Sequence, residues 1–313
     1  MAYRSLREFL DRLDRAGELL RIKEPVSLDL EMAALADRAG KQGGPALLFE
    51  NIKERPGSMP VVMNLFGSKR RTAWALSCDD VEHHANELRS LLKTAPPQGL
   101  WDKLKMLPKL GKLATLPPKH VSDGAVQEVV VKEPDLSTLP ILKTWPHDGG
   151  PYITLPQVIT RDPENGSRNV GMYRVQVLGP RRLAMHWQLH KTANAHWRGY
   201  RKKGERMPVA IALGGDPALV WVGSAPLPPG IDEYLFAGFL RGESVRMVKC
   251  VTNDLEVPAD ADLVIEGYVD PNAPLVREGP FGDHTGFYSL ADDYPAMEVT
   301  AVTHRRDAIY PAT

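Results

Sequence analysis

Cysteine is almost absent from this chain: Cys78 and Cys250 are the only two in 313 residues, and they stand far apart, outside any CxxC or Cys/His spacing. That argues against a disulfide framework and a thiolate metal site, and for structural thiols in a reducing compartment. No apolar run approaches the roughly 20 residues that a membrane-spanning helix requires, and the N-terminus is charged within its first turns. An excess of charge is missing too. Lys+Arg 39 balance Asp+Glu 39, so a surface dedicated to nucleic acid or anionic membrane finds no support. Neither GxGxxG nor GxxxxGK[ST] occurs, which removes the usual nucleotide cradles. Internal repeats and low-complexity tracts are also lacking. The expectation is a soluble, cytoplasmic protein whose length suits two domains.

What is present begins with a helix signal. Ser5 and Glu8 make a capping-box pattern, apolar Leu6, Phe9, Leu10 and Leu13 follow at helical spacing, and Gly17 is placed to end the helix. A short strand over 19–22, a helix over 29–39 stopped by Gly40, strands over 46–50 and 60–67, and helices near Ala73 and over 80–92 complete an N-terminal α/β domain, residues 1–95. Residues 96–120 form a Pro/Lys-rich linker. Lys103, Lys105, Lys109, Lys112 and Lys119 oppose Asp102 alone there. An apolar stripe of Leu100, Leu104, Leu107 and Leu110 favours a solvated amphipathic helix over a basic arm for an anionic partner. From 121 to 313 strands dominate, at 126–131, 155–160, 209–213, 245–251, 263–269 and 297–303, with a helix over 232–241. Glycine and proline punctuate them as in a β-barrel. The fold class is α+β: an N-terminal α/β domain, then a split β-barrel.

Residues 169–190 read as two strands joined across Gly179-Pro180. In the second, Leu183, Met185, Trp187 and Leu189 share one face, and His186, Gln188 and His190 share the other. Imidazole and amide side chains on one face look aimed at a ligand. Arg174 sits among apolar neighbours and needs an anion, either a ligand phosphate or protein carboxylates. Glu278 and Asp283 flank a glycine-rich turn that can fold back to supply them and leave one carboxyl protonated at neutral pH. Glu233, after Asp232 at a helix start, serves either the helix dipole or, with Asn169 and His190, a hard cation such as Mn²⁺ or Mg²⁺. Lys191-Thr192 are loop residues or a phosphate grip. Gly214-Gly215-Asp216-Pro217 reads as a plain turn.

Several stretches recur together in one order: Gly43-Gly44-Pro45, Trp145-Pro146, Asn169-Val170-Gly171-Met172-Tyr173-Arg174, Met185-His186-Trp187 and Phe236-Ala237-Gly238. Lys249-Cys250-Val251-Thr252-Asn253-Asp254 and Glu278-Gly279-Pro280-Phe281-Gly282-Asp283 complete the set. By these the whole chain resembles the UbiD family of reversible decarboxylases that use prenylated FMN. The resemblance implies a split barrel related to flavin reductases. It implies Asn169, His190 and Glu233 as ligands of a divalent metal, Mn²⁺ or another, with K⁺ nearby. Met172, Tyr173, Arg174, His186, Trp187, Gln188, Lys191 and Thr192 then line prenylated FMN, and Arg174, Glu278 and Asp283 form the catalytic network. On that reading Glu278 protonates the carbon after CO₂ leaves, Arg174 positions it and Asp283 tunes the pair; relatives also give the donor role to the Asp283 position.

The resemblance implies an aromatic carboxylate substrate, a flavin prenyltransferase as cofactor supplier and a homo-oligomer in the full-length form. It leans to the branch acting on 3-polyprenyl-4-hydroxybenzoate in ubiquinone biosynthesis, whose lipophilic substrate implies peripheral contact with the inner membrane. Menaquinone-pathway or other aromatic acids are the alternative. In the family a C-terminal α/β domain follows the segment matching His304 to Tyr310; the chain ends at Thr313, so the expectation is a chain without that domain. The rivals are a flavin-binding split-barrel protein inactive as a decarboxylase and, more distantly, a metal hydrolase using His190 and Glu233.

Overall fold

A computed structural model of the chain describes residues 2–92, 116–228 and 230–313, so most of the expected linker, residues 96–115, lies outside the described residues. The N-terminal elements are α1 (Leu6–Arg15), β1 (Leu19–Ile22), α2 (Glu31–Lys41), β2 (Ala46–Phe49), β3 (Val61–Met63), α3 (Lys69–Ala75) and α4 (Val81–Leu92). Ser5 caps α1 as its sequence pattern requires, its side chain accepting from Glu8 N–H. Next come short strands β4 (Lys119–His120), β5 (Val129–Val131) and β6 (Tyr152–Ile153). The larger strands follow: β7 (Gln157–Arg161), β8 (Arg168–Gly171), β9 (Val175–Gly179) and β10 (Arg182–Met185). After them lie α5 (Thr192–Lys203), β11 (Met207–Leu213), α6 (Pro217–Val222), α7 (Glu233–Arg241), β12 (Arg246–Lys249) and β13 (Glu256–Pro258). The chain closes with β14 (Leu263–Val269), β15 (Val276–Glu278), β16 (Phe281–Gly282), β17 (Tyr288–Ser289), β18 (Asp292–Tyr294), β19 (Ala296–His304) and β20 (Tyr310–Pro311).

A nine-stranded sheet in the order β6-β9-β10-β19-β14-β11-β7-β8, with β5 added on β19, dominates the mixed α+β fold. Alternation decides which side chains meet. In β11, Val209, Ile211 and Leu213 enter one core and Ala210 and Ala212 another, so both faces are covered and the strand reads as a continuous apolar run. The small sheet works likewise. Leu47, Phe49, Val61 and Met63 join the core of the large sheet, while Ala46, Leu48 and Val62 pack under Leu6, Phe9, Leu10 and Leu13 of α1. One hydrophobic core therefore runs from the N-terminal sheet into the barrel-like sheet, and the main cavity opens beside it.

Four expectations differ from what is seen. Residues 126–131 are not one strand: a 3₁₀ turn over Ala125–Gln127 precedes β5, because Val126 is drawn into a core that also holds Val245 and Ala259. Gly40 lies inside α2 rather than ending it. The first segment of 169–190 is broken between β8 and β9, where Met172, Tyr173 and Arg174 turn toward the cavity, and β10 ends at Met185, leaving Leu189 70% exposed. Gly214 to Pro217 is more than a turn. Buried Asp216 caps α6, accepts from Tyr3 N–H at 2.9 Å and pairs with Arg241 at 2.6 Å, fastening the N-terminal segment to the barrel.

Candidate active site

The residues that gather at the cavity do so because strands end there. β8 ends at Gly171, just before Met172, Tyr173 and Arg174 reach the cavity, and a Cβ at Gly171 would lie 2.3 Å from the Tyr173 ring; only glycine lets that ring fold back. Past β15, the turn bearing Glu278 is pinned from several sides. Gly279 N–H donates to Gln176 Oε1 (2.8 Å), Gly149 N–H to Pro280 O (2.8 Å), and Gly282 N–H to Asp148 Oδ1 (2.7 Å). Asp148 Oδ2 in turn accepts from Thr144 and Trp145. Glu278 is thus set by β9 and the loop before β6 rather than by its own loop.

Arg174 and Glu278 meet as a fork on a carboxylate: Nε donates to Oε1 at 2.8 Å and Nη2 to Oε2 at 3.0 Å. Nη2 also donates to Ser289 Oγ (2.9 Å), and the guanidinium lies 4.8 Å over the Phe281 ring. His186 Nδ1 approaches Glu278 Oε2 at 3.0 Å, with its ring 4.5 Å from that of Tyr294. Burial pushes the Glu278 carboxyl upward, but the hydrogen bonds from His186 and Arg174 outweigh it and hold the group below the ordinary glutamate range. Tyr152, buried beside this carboxylate, is raised first by burial and then by the Glu278 charge. Asp283 does not bond to Arg174. It accepts from Thr285 N–H (3.3 Å), stands 3.3 Å from His284, and lines the same cavity, close enough to feel the Arg174 charge. Burial is the largest single influence and raises it, but the Thr285 hydrogen bonds and the His284 and Arg174 charges together outweigh it, so it too lies below its ordinary value. Neither carboxyl is held protonated at neutral pH, contrary to the expectation from the sequence.

The cavity measures about 550 Å³, within the range of small-molecule and cofactor sites. Met172, Tyr173, Arg174, His186, Gln188 and Lys191 all line it. Trp187 does not. It is 1% exposed, packed in the main core with its indole N–H unpartnered among the described residues. Thr192 is the first residue of α5, outside the lining, and Lys191 precedes it at the cap position. An ammonium beside the open N–H groups of a twelve-residue helix suits an anionic tail, and the apolar and aromatic walls suit a flat ring. These residues fit a flavin phosphate and its ring system.

Asn169 and Glu233 are also brought together. Glu233 Oε2 accepts from Val170 N–H at 3.1 Å, and burial raises its carboxyl above the ordinary range while that backbone bond works the other way. Asp232, not Glu233, caps α7 and takes the Arg168 ion pair at 2.9 Å. The Glu233 carboxylate, left with backbone donors only, and the Asn169 amide fit a hard cation. His190 stands apart on the exposed turn before α5, without a hydrogen bond or ion pair among the described residues. Among those residues no three His, Cys, Asp or Glu side chains are grouped to hold a metal ion. Behind Asn169 runs a chain that the sequence reading missed: His196 Nδ1 to Thr160 Oγ1 (3.0 Å) and Asn169 Nδ2 to Thr160 Oγ1 (3.2 Å). Its signal was a polar pair, Thr160 and Gln157, inside an apolar strand.

A chain with this sequence and this large half-barrel sheet belongs to a recognised class. Residues 119–313 match the Rift-related domain of 3-octaprenyl-4-hydroxybenzoate carboxy-lyase and residues 10–89 its N-terminal domain, and the chain belongs to the UbiD family. It is 52% identical over 314 residues to an uncharacterized protein of Aquifex aeolicus, covering 99% of this chain and 64% of that protein. An evolved dimeric form of the UbiD-class enzyme HmfF from Pelotomaculum thermopropionicum, solved with prFMN, is 36% identical with a TM-score of 0.84, over 99% of this chain and 67% of that one. Vanillic acid decarboxylase of Sedimentibacter hydroxybenzoicus, in closed form, is 29% identical with a TM-score of 0.85, over 100% of this chain and 64% of that one. The chain thus spans about two thirds of the length of these relatives. Among the described residues no helix is long and apolar enough to cross a membrane.

Proposed function

We propose that the chain binds prenylated FMN and carries out the non-oxidative, reversible decarboxylation of an aromatic or unsaturated carboxylic acid. The observation that carries this reading is the two-point Arg174–Glu278 pair, 2.8 and 3.0 Å, on the wall of a flavin-sized cavity. Met172, Tyr173, His186 and Gln188 would flank the cofactor ring, Trp187 would support that wall from behind, and Lys191 and Thr192 would hold the phosphate. Asn169, Glu233 and His190 would take the divalent cation, Mn²⁺ or another, with K⁺ beside it. When bound, prenylated FMN supplies the electron sink that an sp² carbanion lacks. The chain's own residues do the rest. Arg174 orients the substrate carboxylate, Glu278 fixes Arg174 and His186, and Asp283 adds negative charge at the cavity edge.

The substrate we favour is a 3-polyprenyl-4-hydroxybenzoate, the acid in the family description, with the lipophilic tail drawing a cytoplasmic protein to the inner membrane. A small unprenylated aromatic acid is the second reading, favoured by the likeness to vanillic acid decarboxylase. The flavin-reductase kinship of the split barrel, the domain division at residues 95 and 121, supply of cofactor by a prenyltransferase and homo-oligomer formation belong to the same proposal. Its test is the absorbance spectrum and intact cofactor mass of the chain, co-expressed with a flavin prenyltransferase and given Mn²⁺, followed by CO₂ release from aromatic acids. Stoichiometric prenylated flavin with CO₂ release supports the reading. Reversible two-electron reduction by a nicotinamide donor without CO₂ release would replace it with a redox role.

A further inference from the structure

β7 carries a hydroxyl where a strand buried on both faces calls for an apolar side chain. It pairs antiparallel with β8, Thr160 opposite Asn169, and alternation puts both side chains on the face of Val158, which packs in one core with Ala193, Trp197 and Tyr200 of α5. Ile159 and Val170 face the other core. Thr160 is wholly buried, and Asn169 and His196 are nearly so. Two groups meet at the Thr160 hydroxyl: Asn169 Nδ2 donates to it at 3.2 Å, and His196 Nδ1 of α5 stands 3.0 Å away. A hydroxyl offers one proton and two lone pairs, so either tautomer of His196 leaves a lone pair for the amide. β8 is the end strand of its sheet among the described residues, and Glu233 accepts from its Val170 N–H at 3.1 Å, which brings that carboxylate to the strand bearing Asn169.

An asparagine amide has two unlike ends. Its nitrogen end only donates and turns a cation away, whereas its oxygen end is a ligand for a hard divalent ion. Which end is offered decides whether Asn169 serves a cation at all. We propose that Thr160 is a positioning residue for the cation site: by holding the Asn169 amide nitrogen against the sheet it leaves the amide oxygen for the cation, and His196 fixes the hydroxyl from behind. The proposal rests on the reading of Asn169 and Glu233 as cation ligands above. Without the hydroxyl, the buried Nδ2 loses its acceptor, and the amide turns to find another and carries its oxygen with it. If Thr160 merely satisfied buried groups, its loss would lower stability and leave the cation affinity of the folded chain as it was.

The test is a Mn²⁺ titration of the chain in the presence of FMN, followed by electron paramagnetic resonance and referred to the folded fraction seen by circular dichroism. Thr160→Val should weaken Mn²⁺ binding about 10–100-fold. Thr160→Ser, which keeps the hydroxyl, should bind as the parent does. In Asn169→Asp the two carboxylate oxygens are alike and there is no orientation to keep, so adding Thr160→Val to that background should cost nothing further. Unchanged affinity in folded Thr160→Val, or an equal loss in both backgrounds, overturns the proposal. If Thr160→Val does not fold, spectra of the ¹³C,¹⁵N-labelled parent decide: Mg²⁺ with FMN should shift the Asn169 Cγ resonance while the Nδ2 protons stay protected from exchange. Loss of that protection, or an unmoved Cγ, overturns it equally. A parent chain that binds no Mn²⁺ removes the cation-site reading and this proposal with it, whereas failure of the Thr160 variants alone leaves that reading standing.

Discussion

Two carboxylates, Glu278 and Glu233, are held on opposite plans. Around the first, Arg174, Glu278, His186 and Ser289 satisfy one another, and the carboxylate is held below its ordinary pKa. The second is partly buried with backbone donors only, and burial chiefly holds it above its ordinary pKa. One arrangement uses charge to stabilise the chain itself. The other carries a carboxylate whose burial is costly to the chain.

Breaking the first arrangement should have the largest effect. Arg174→Ala strands the buried Glu278 charge and should cost about 3–5 kcal/mol in denaturant unfolding; an unchanged midpoint would show that the fork contributes nothing. The acid limb of stability comes next. Because the folded Glu278 pKa lies below its ordinary 4.5, its stabilisation is fully present above that pH and is lost as the pH falls through the folded value. Unfolding curves recorded from neutral to acid pH should therefore be flatter in Glu278→Gln than in the parent chain. Glu233→Gln should act with the other sign, leaving the thermal midpoint unchanged or slightly higher while abolishing Mn²⁺ uptake measured by electron paramagnetic resonance in the presence of FMN. A clear drop in midpoint would place Glu233 with the structural carboxylates. Asp283→Asn should move stability by no more than about 0.5 kcal/mol, since its contacts are local and at the cavity edge; a larger change in chemical denaturation would mean that Arg174 depends on it.

Much of the fold was legible because its signals are local. Ser5 caps its helix, Leu19 to Ile22 is a strand, and Leu263 to Val269 is another, each as pattern and propensity require. Errors arose where tertiary contacts decide. Val126 is pulled from a strand into a core, and β10 stops once Met185 donates its amide to Pro295 O. The Arg174–Glu278 pairing was legible as chemistry, since a lone arginine among apolar residues needs an anion. The state of the carboxyl was not, because it depends on His186, whose partner across the sheet leaves no mark in its own neighbourhood. Gln176, Asp148 and Ser289 escaped notice for the same reason, each serving a turn distant in sequence.

β20 runs parallel beside β3, with Tyr310 N–H donating to Pro60 O and Ala312 N–H to Val62 O. The N-terminal sheet is therefore finished by a strand synthesised long after β1, β2 and β3. At ~5–20 residues per second, β1 to β3 are outside the exit tunnel for roughly ten seconds or more before that strand arrives. Throughout that interval β3 is an open sheet edge on a nascent chain, a surface that other chains can join and that a ribosome-associated chaperone is suited to shield.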